Sequence, residues 1–212
     1  KSNIWRFFAF SSAETLAMNG LIHATKPNKL VQLQIAQQVG LKVPRTLVSQ
    51  NPETIRQFCA SLNNQVVLKA VAGTGKTPLA TTKIREDLLA SEQGLKLSPA
   101  IYQELVPGTR HLRVNVFGDQ IYPALISSQH LDWRIHLDQI KVEPFQLPAE
   151  VEKQLLQFMQ LFDLRMGAFD LKLTDQGELV LLELNQQGDF LFIEGLTGLK
   201  LADAFADFLA DE

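Results

Sequence analysis

Apolar and polar residues alternate along residues 169–185, whose sequence is FDLKLTDQGELVLLELN. Two strand-like runs flank the turn at residues 175–178, where glycine can adopt a positive φ at low cost. We therefore predict a β-hairpin that is symmetric about Gln176-Gly177. In that register one face is wholly apolar and is expected to lie in the core, and it carries Phe169, Leu171, Leu173, Val180, Leu182 and Leu184.

The opposite face of this predicted hairpin is polar. It carries Asp170, Lys172 and Glu183, and Asn185 lies two residues beyond Glu183. The register sets Asp170 directly opposite Glu183, where two carboxylates repel each other. A cation between them would relieve that repulsion, and two carboxylates with an amide oxygen suit a Mg²⁺ ion that also holds phosphate. The alternative is a solvated sheet face with two acids that bind nothing.

The remaining pattern predicts helices and strands in succession. Strand-like runs include VVLKAV, AIYQELV, HLRVNVF and QIYPALISS, and the helical run AEVEKQLLQFMQLFDL follows Pro148. Another helix is expected to begin at Lys29, with Asn28 as its N-cap, Gly40 as its stop, and an apolar stripe of Val31, Ile35 and Val39. Hairpins mixed with packed helices indicate an α+β fold, expected to have two lobes.

A glycine-containing loop, GTGKTP, separates VVLKAV from the strand-like run LATTKI. The segment AVAGTGKT fits a loose P-loop pattern, but a P-loop NTPase requires a long helix directly afterwards, and here Pro78 follows. Gly73 and Gly75 can still bring backbone amides close to phosphate. Lys69 is the one charge within VVLKAV, and it requires an anion if that strand is buried; the alternative is an edge lysine that reaches water.

Other charged residues extend this picture. Lys29 lies in the first turn of its helix, where the macrodipole disfavours a cation. Two lysines beside a glycine loop and an Asp/Glu/Asn cluster indicate a polyphosphate with Mg²⁺. The segment 103–108 offers its backbone to a purine if it links two lobes, and is otherwise an ordinary strand end. Arg113 and Arg134 are candidate anion ligands, or else members of surface ion pairs.

The composition argues against several classes of function. With 212 residues, 46% of them hydrophobic, the chain can bury a substantial core, while a net charge of −3 gives no basic field for nucleic acid. The single cysteine, Cys59, excludes an internal disulfide and is expected to be a buried structural thiol. His111, His130 and His136 lack the spacing of a zinc site. No run approaches the roughly 20 apolar residues of a membrane span, so a cytoplasmic protein is expected.

The order of these segments resembles the ATP-grasp superfamily over about residues 28–209. A helix and GLKVP are followed by VVLKAVAGTGK, YQELVPG, HLRV, GAFDLKL, LLELNQQG and TGLKLADA. The segments IWR, NKLVQLQIA, DWR and IEGLTG make the chain most similar to the microviridin-type (graspetide) ribosomal-peptide maturases and the ribosomal-protein glutamate ligase-like group. The resemblance implies an ATP-grasp fold in which two α+β lobes with antiparallel sheets grip the nucleotide. Residues 28–105 would form the nucleotide lobe and residues 106–212 the metal and catalytic lobe.

The resemblance also implies an ADP-forming ligase. ATP would activate a carboxylate as an acylphosphate, which an amine or hydroxyl would then attack, with a peptide or small molecule as substrate. The nucleotide would be held by Lys29, Lys69, Gly73, Gly75, Glu104, Leu105, Val106 and His111. The metal, Mg²⁺ or in its place Mn²⁺, would be held by Asp170, Glu183 and Asn185, and the γ-phosphate or acylphosphate by Arg134 and Arg113.

Two departures from the family pattern accompany this resemblance. His111 stands where an acid that contacts ribose is expected. Only residues 1–27 precede the first lysine, where these ligases carry an N-terminal α/β domain, so this segment is expected to be a remnant or linker of that domain. The aromatic cluster of Trp5, Phe7 and Phe8 is consistent with a packing partner such as a second copy of the chain. The alternative function is a non-catalytic ATP-binding module without its first domain.

Overall fold

The computed structural model describes residues 28–71 and 81–210. Its helices are α1 Lys29–Gln38, α2 Pro52–Ala60, α3 Glu86–Ala90, α4 Glu92–Lys96, α5 Ala149–Leu161, α6 Leu191–Thr197 and α7 Leu201–Ala210, with two short 3₁₀ helices at Trp133–Ile135 and Leu137–Gln139. Its strands are β1 Thr46–Ser49, β2 Val66–Ala70, β3 Thr82–Lys83, β4 Ala100–Glu104, β5 Arg110–Phe117, β6 Gln120–Ser127, β7 Lys141–Pro144, β8 Met166–Leu173 and β9 Leu179–Asn185. The predictions for residues 1–27 and for Gly73 and Gly75 lie outside these ranges.

Two antiparallel sheets organise the described residues. The first sheet has the strand order β1-β4-β2-β3 and the second has the order β7-β6-β5-β8-β9. The predicted α+β class with two antiparallel sheets is therefore confirmed. The chain passes from one sheet to the other through residues 105–109, between β4 and β5. The predicted division into lobes near residue 105 falls at this connection and stays a prediction.

The segment after the glycine loop is a strand. β3 pairs antiparallel with β2, and Val67 lies opposite Lys83. A P-loop NTPase requires a helix in this place, because the helix amides bind the phosphate. The structure therefore excludes the P-loop fold, as the sequence predicted.

Helix α1 begins as the sequence predicts but buries a different face. The Asn28 side chain accepts a hydrogen bond from the Leu30 amide at 2.8 Å, which confirms the N-cap. The prediction that Val31 belongs to the buried stripe is wrong, because Val31 is 44% exposed. Gln32 and Ala36 are buried instead. The helix packs against β9 of the second sheet, and this contact determines which face of α1 is buried.

Gln32 is the polar residue that holds α1 in place. Its side-chain amide donates to the Leu184 carbonyl at 3.1 Å and accepts from the Leu184 amide at 2.8 Å. Because β9 is an edge strand of the second sheet, these two bonds satisfy backbone groups that would otherwise be unpaired at a buried edge. They also fix the start of α1, and with it Lys29, beside the polar end of β9.

The β8–β9 hairpin confirms the predicted pairing at its functional end. Asp170 lies opposite Glu183. Beyond that pair the register shifts by one residue, so that Leu171 lies opposite Leu181 and Leu182 is the extra residue of a β-bulge. The predicted symmetry about Gln176-Gly177 is therefore wrong for the turn-proximal half of the hairpin.

The bulge changes which side chains of β9 face the core. Leu179, Leu181 and Leu184 pack with the core of the second sheet. The prediction that Val180 and Leu182 share this face is wrong, because the extra residue reverses the alternation of side chains. Leu182 instead lines the cleft on the polar side of the sheet.

Buried apolar clusters fill the space behind both sheets. One cluster lies between the second sheet, α1 and α5 and includes Phe158 and Phe169, which are fully buried. Another lies behind the first sheet and includes Cys59, which is fully buried and free, as predicted. Burial raises the pKa of the Cys59 thiol, which fits a structural role. Within the described ranges, no helix is both long and apolar enough to cross a membrane.

Candidate active site

A cleft lies where the two sheets meet. It is lined by β2 and β4 of the first sheet, by β5, β8 and β9 of the second sheet, and by the loop after β6. Most of the predicted site residues line it, namely Lys69, Glu104, Leu105, Val106, His111, Arg134, Asp170 and Glu183. Lys29, Arg113 and Asn185 join them through direct contacts described below.

Asp170 is buried at the centre of this polar surface. Arg113, its neighbour on β5, donates from Nη1 to both carboxylate oxygens at 2.9 and 3.1 Å. The Asn185 amide donates to Asp170 Oδ2 at 3.0 Å, which leaves the Asn185 side-chain oxygen for another partner. Burial raises the pKa of Asp170, and the positive charge of Arg113 opposes that rise.

Glu183 joins three segments of the chain. It accepts from Lys29 Nζ at 2.9 Å and from Arg134 Nη1 at 3.4 Å. Burial alone would raise the pKa of the Glu183 carboxyl, but the positive charges of Lys29, Lys69 and Arg134 hold it below its ordinary value. Glu183 is therefore an anion surrounded by cations that come from α1, β2 and the loop after β6.

The loop after β6 positions Arg134 through Asp132. Arg134 donates from Nε and Nη2 to the two oxygens of Asp132, each at 2.8 Å. Asp132 is buried; burial alone would raise the pKa of its carboxyl, but the Arg134 hydrogen bonds outweigh this and lower it. Because a bidentate pair fixes the plane of the guanidinium, Arg134 presents its remaining N–H groups in one direction.

Lys69 enters the cleft from the first sheet. Its ammonium donates to Gln103 Oε1 at 2.7 Å, and Gln103 in turn donates to Thr46 Oγ1 at 3.0 Å. Burial lowers the pKa of Lys69, and the nearby Glu183 charge partly offsets that effect. An anionic ligand would offset the cost of holding this ammonium in the cleft, and the assignment of Lys69 to such a ligand stays a prediction.

His111 and Lys172 lie opposite each other on β5 and β8. Lys172 Nζ is 2.9 Å from His111 Nε2, and both residues are buried. Burial and the adjacent Lys172 charge lower the pKa of His111 to about 4, so the ring is neutral near pH 7 and accepts this hydrogen bond. Burial also lowers the pKa of Lys172, to about 8.

The neutral His111 ring predicts a loss of stability in mild acid. Its pKa is about 4 in the folded chain against an ordinary value of 6.5, so the unfolded chain binds more protons between these values. The free energy of unfolding should therefore fall as the pH drops from about 6.5 towards 4. Urea unfolding should show that His111 contributes a loss of about 2–3 kcal/mol between pH 7 and about pH 4.5.

The matched control for this prediction is His111→Gln, which keeps an acceptor for Lys172 but does not titrate. The variant should lose less stability than the parent chain over the same pH interval. Equal losses in the two proteins would show that His111 does not titrate with the pKa given above.

The predicted adenine segment, residues 104–106, uses most of its backbone donors within the protein. The Glu104 amide donates to the Arg45 carbonyl at 2.8 Å, and the Leu105 amide donates to the Gln65 carbonyl at 2.9 Å. Within the described part of the chain, the Val106 amide donates to no other group. Of the three residues, Val106 is therefore the one whose backbone N–H remains as a donor for a purine.

Gly188 is required for the loop after β9 to approach the sheet. A Cβ atom at this position would overlap Ala168 Cβ and Arg113 Nη2. Arg113 Nη2 also donates to the Asp189 carbonyl at 3.1 Å, so the loop and the Arg113–Asp170 pair are packed together. Gly188 therefore keeps the loop packed over the ion pair.

Gly188→Ala is expected to destabilise the chain by about 1–3 kcal/mol, because neither the β8 backbone nor the buried Arg113 can move without strain. Thermal unfolding is the measurement. The control is Gly195→Ala in α6, where no heavy atom lies within 4 Å of an added Cβ and alanine favours the helix. A Gly188→Ala variant as stable as the parent chain would show that the loop does not pack as described.

The assembled residues fit a metal ion with a polyphosphate. No group of three His, Cys, Asp or Glu side chains among the described residues is placed to hold a metal, so the predicted set depends on the Asn185 oxygen as its third ligand. Two opposed carboxylates and an amide oxygen are hard ligands suited to Mg²⁺. Lys29, Lys69 and Arg134 supply positive charge beside them, as phosphate oxygens require.

A family model for the RimK-like ATP-grasp domain matches residues 26–209 of the chain. The chain belongs to this family. The ATP-grasp resemblance drawn from the segment order is thereby confirmed. The fold of two antiparallel sheets around a cleft agrees with the membership.

Solved structures of ATP-grasp ligases are similar to the chain. Macrocyclase MdnC from Microcystis aeruginosa MRC, bound with precursor peptide MdnA, is 32% identical with a TM-score of 0.78, over 95% of this chain and 63% of that one. Macrocyclase MdnB from the same organism is 30% identical with a TM-score of 0.70, over 93% and 61%. PsnB, complexed with a phosphomimetic variant of its minimal precursor, Mg and ADP, is 26% identical with a TM-score of 0.73, over 95% and 61%.

The ATP-grasp chain therefore spans less than two thirds of each of these three solved proteins. Comparison with curated protein sequences gives no match.

Some residues of the site were not predicted from the sequence. Gln32, Gln103 and Asp132 hold Lys29, Lys69 and Arg134 in place, but each is a polar residue whose partner is far away in the sequence or could equally be water. Lys172 did carry a signal, because it stands on the same predicted face as Asp170 with no acid opposite. Gly188 gave none, since glycine after a strand is common in loops.

Proposed function

We propose that the chain is an ADP-forming ligase that uses ATP and Mg²⁺ to join a carboxylate to an amine or hydroxyl on a peptide. The observation that carries this proposal is the opposed Asp170–Glu183 pair, set among Lys29, Lys69 and Arg134 in the cleft of a RimK-like ATP-grasp domain. Opposed carboxylates surrounded by cations are the arrangement that a metal-bound polyphosphate requires.

Each charged residue has a proposed task. Asp170, Glu183 and Asn185 would hold Mg²⁺, which supplies charge neutralisation for the phosphate oxygens. Lys29, in helix α1 beside the second sheet, and Lys69, on β2 of the first sheet, would bind phosphate oxygens from the two sides of the cleft. Gly73 and Gly75 would cover the phosphates, and Leu105 and Val106 with Glu104 would border the adenine, where Leu182 adds an apolar contact.

Arg134 is proposed to stabilise the charge that develops during phosphoryl transfer. A carboxylate oxygen of the substrate attacks the γ-phosphorus, and the bond from that phosphorus to ADP breaks. The amine or hydroxyl then attacks the acyl carbon and displaces phosphate. Asp132 fixes the Arg134 guanidinium before either step, so no reorganisation is needed when charge moves. Arg113 would act next to it by keeping Asp170 in place.

The proposal of a peptide substrate rests on the relatives. MdnC was crystallised with a precursor peptide, and PsnB with a variant of its minimal precursor together with Mg and ADP. A ligase associated with ribosomal peptides from Chryseobacterium gregarium was solved with ADP and a leader and core peptide. Amide and ester products both satisfy the proposed chemistry, and a carboxylate-bearing small molecule is the second substrate class.

The test is ATP turnover in the presence of short peptides that contain Asp or Glu together with Ser, Thr or Lys. ADP should form with Mg²⁺ present, and the peptide should lose one water as its new bond forms. Hydroxylamine should trap the activated carboxylate as a hydroxamate, with release of phosphate. ADP formation that never depends on a carboxylate would contradict the ligase proposal, and tight ADP binding without turnover would favour a non-catalytic nucleotide-binding module.

A cytoplasmic location, a homodimeric assembly and the absence of a nucleic-acid partner also remain proposals. The use of ATP and the single buried cysteine support the first. The net charge of −3 supports the last, because it offers no basic field to a polyanion.

A further inference from the structure

The cations of the cleft differ in the partners that they have. Three of them contact a carboxylate directly, namely Lys29 with Glu183, Arg113 with Asp170 and Arg134 with Asp132. Lys69 contacts the Gln103 amide and also lies in the field of Glu183. Lys172 contacts His111. Among the described residues, Lys172 is thus the buried lysine of the cleft whose hydrogen-bond partner is neutral and which has no carboxylate in ion-pair contact.

The Lys172 ammonium is poorly compensated. Lys172 is 5% exposed, and no Asp or Glu of the described residues lies within ion-pair distance of it. An ammonium has three N–H donors, of which His111 Nε2 occupies one at 2.9 Å. A buried charge with one neutral acceptor is costly, so its free donors favour an anionic oxygen from a ligand.

The position of Lys172 indicates which part of a nucleotide it would meet. Lys172 and His111 form a cross-strand pair two residues along β8 and β5 from the Asp170–Arg113 pair, a displacement of about 7 Å. The displacement runs towards the start of β5, where the chain arrives from residues 104–106. Lys172 therefore lies between the proposed metal ligands and the proposed adenine segment.

We propose that Lys172 is a further nucleotide-binding residue that holds the phosphate group nearest the sugar, and that His111 is the positioning residue that directs its ammonium into the cleft. The inference rests on the proposed ATP-binding function and extends it, since it adds a cation at the sugar end of the polyphosphate. It also gives His111 a task other than contact with the ribose hydroxyls.

This role has a consequence that a purely structural lysine would not have. Replacing Lys172 with methionine removes an uncompensated buried charge and shortens the unbranched side chain by one atom. The free chain should therefore unfold at a higher temperature, while its affinity for nucleotide falls. A lysine that served only the fold would instead lower the unfolding temperature on replacement and leave affinity unchanged.

The experiment measures the binding of Mg·ADP, AMP and adenosine to the chain by calorimetry or competition. Lys172→Met should lower the affinity for ADP and for AMP by about tenfold or more, because a charge-assisted hydrogen bond is lost. Its affinity for adenosine should stay within about twofold of the parent value. Lys172→Arg keeps the charge and should restore much of the AMP affinity. His111→Leu should lower the affinity for AMP. His111→Gln, whose side chain still accepts a hydrogen bond from the Lys172 ammonium, should not lower it.

Each outcome separates this inference from the proposed function. If the parent chain binds Mg·ADP and Lys172→Met binds ADP and AMP equally well, the inference is overturned and the proposed function stands. If Lys172→Met lowers the affinities for AMP and for adenosine equally, the proposed contact with phosphate is overturned. If the parent chain binds none of the three, both are overturned. Should Lys172→Met not fold, Lys172→Gln, which also removes the charge, decides the matter by the same affinities.

Discussion

Replacing Glu183 with glutamine is expected to lower ATP-dependent product formation at least a hundredfold. The variant keeps the size of the side chain and removes one of the two proposed Mg²⁺ carboxylates. It also removes the negative charge that Lys29 and Arg134 contact at 2.9 and 3.4 Å. Losing one preorganised electrostatic group costs about 10²–10³ in rate, and here one change affects the metal and two cations together. The measurement is ADP formation with a carboxylate-bearing peptide.

The matched control is Glu178→Gln in the turn of the same hairpin. Glu178 forms an ion pair with Lys42 on the surface, and both side chains are largely exposed, so this pair should contribute little. Glu178→Gln should unfold at nearly the parent temperature. Glu183→Gln should unfold at a lower temperature, because it leaves Lys29 and Arg134 without the carboxylate that they contact. A Glu183→Gln variant that kept full turnover would remove the carboxylate pair from the proposed mechanism.

Replacing Lys69 with methionine is expected to weaken nucleotide binding by about tenfold or more. The Lys69 ammonium lies half-buried in the cleft and donates to Gln103 at 2.7 Å, and its removal from water lowers its pKa. A phosphate oxygen would supply the opposite charge that this site requires, and a charge-assisted hydrogen bond contributes about 1.5–3 kcal/mol. Calorimetric titration with Mg·ADP gives the change in affinity.

Lys83 provides the control for Lys69, because it lies on the neighbouring strand and donates to another glutamine, Gln65 Oε1, at 3.1 Å, but is exposed. Lys83→Met should bind nucleotide as the parent chain does. Lys76→Met tests the P-loop pattern of the sequence and should weaken binding less than Lys69→Met. The reverse order of these two effects would contradict the assignment of Lys69 as the phosphate-binding lysine.

The functional half of the β8–β9 hairpin could be predicted because its pattern is local. Strict alternation and a glycine turn set Asp170 opposite Glu183, and the structure confirms that pair. The bulge at Leu182 could not be predicted, because residues 179–182 are all apolar. Their sequence is therefore compatible with the register that has the extra residue and with the register that lacks it. Its consequence is functional, because it turns Leu182 into the cleft.

Contacts between distant segments account for the rest. The buried face of α1 follows from the two bonds of Gln32 to Leu184, which are 152 residues apart in the chain. An apolar stripe predicts the buried face of a helix when apolar packing holds the helix in place. Helix α1 is held instead by a polar side chain, Gln32, which pairs with the backbone at the edge of β9. The sequence identified Arg134 as a candidate, but its pairing with Asp132 and its contact with Glu183 depend on how the loop after β6 folds over the sheet.

A titration of the chain with ADP, once in Mg²⁺ and once in EDTA, tests most directly whether Asp170, Glu183 and Asn185 form a metal–nucleotide site. ADP should bind about tenfold or more tightly with Mg²⁺, equivalent to about 1.4 kcal/mol or more, and this difference should disappear in Glu183→Gln. Equal affinity with and without Mg²⁺, or a Mg²⁺ dependence that survives in Glu183→Gln, would contradict the metal site.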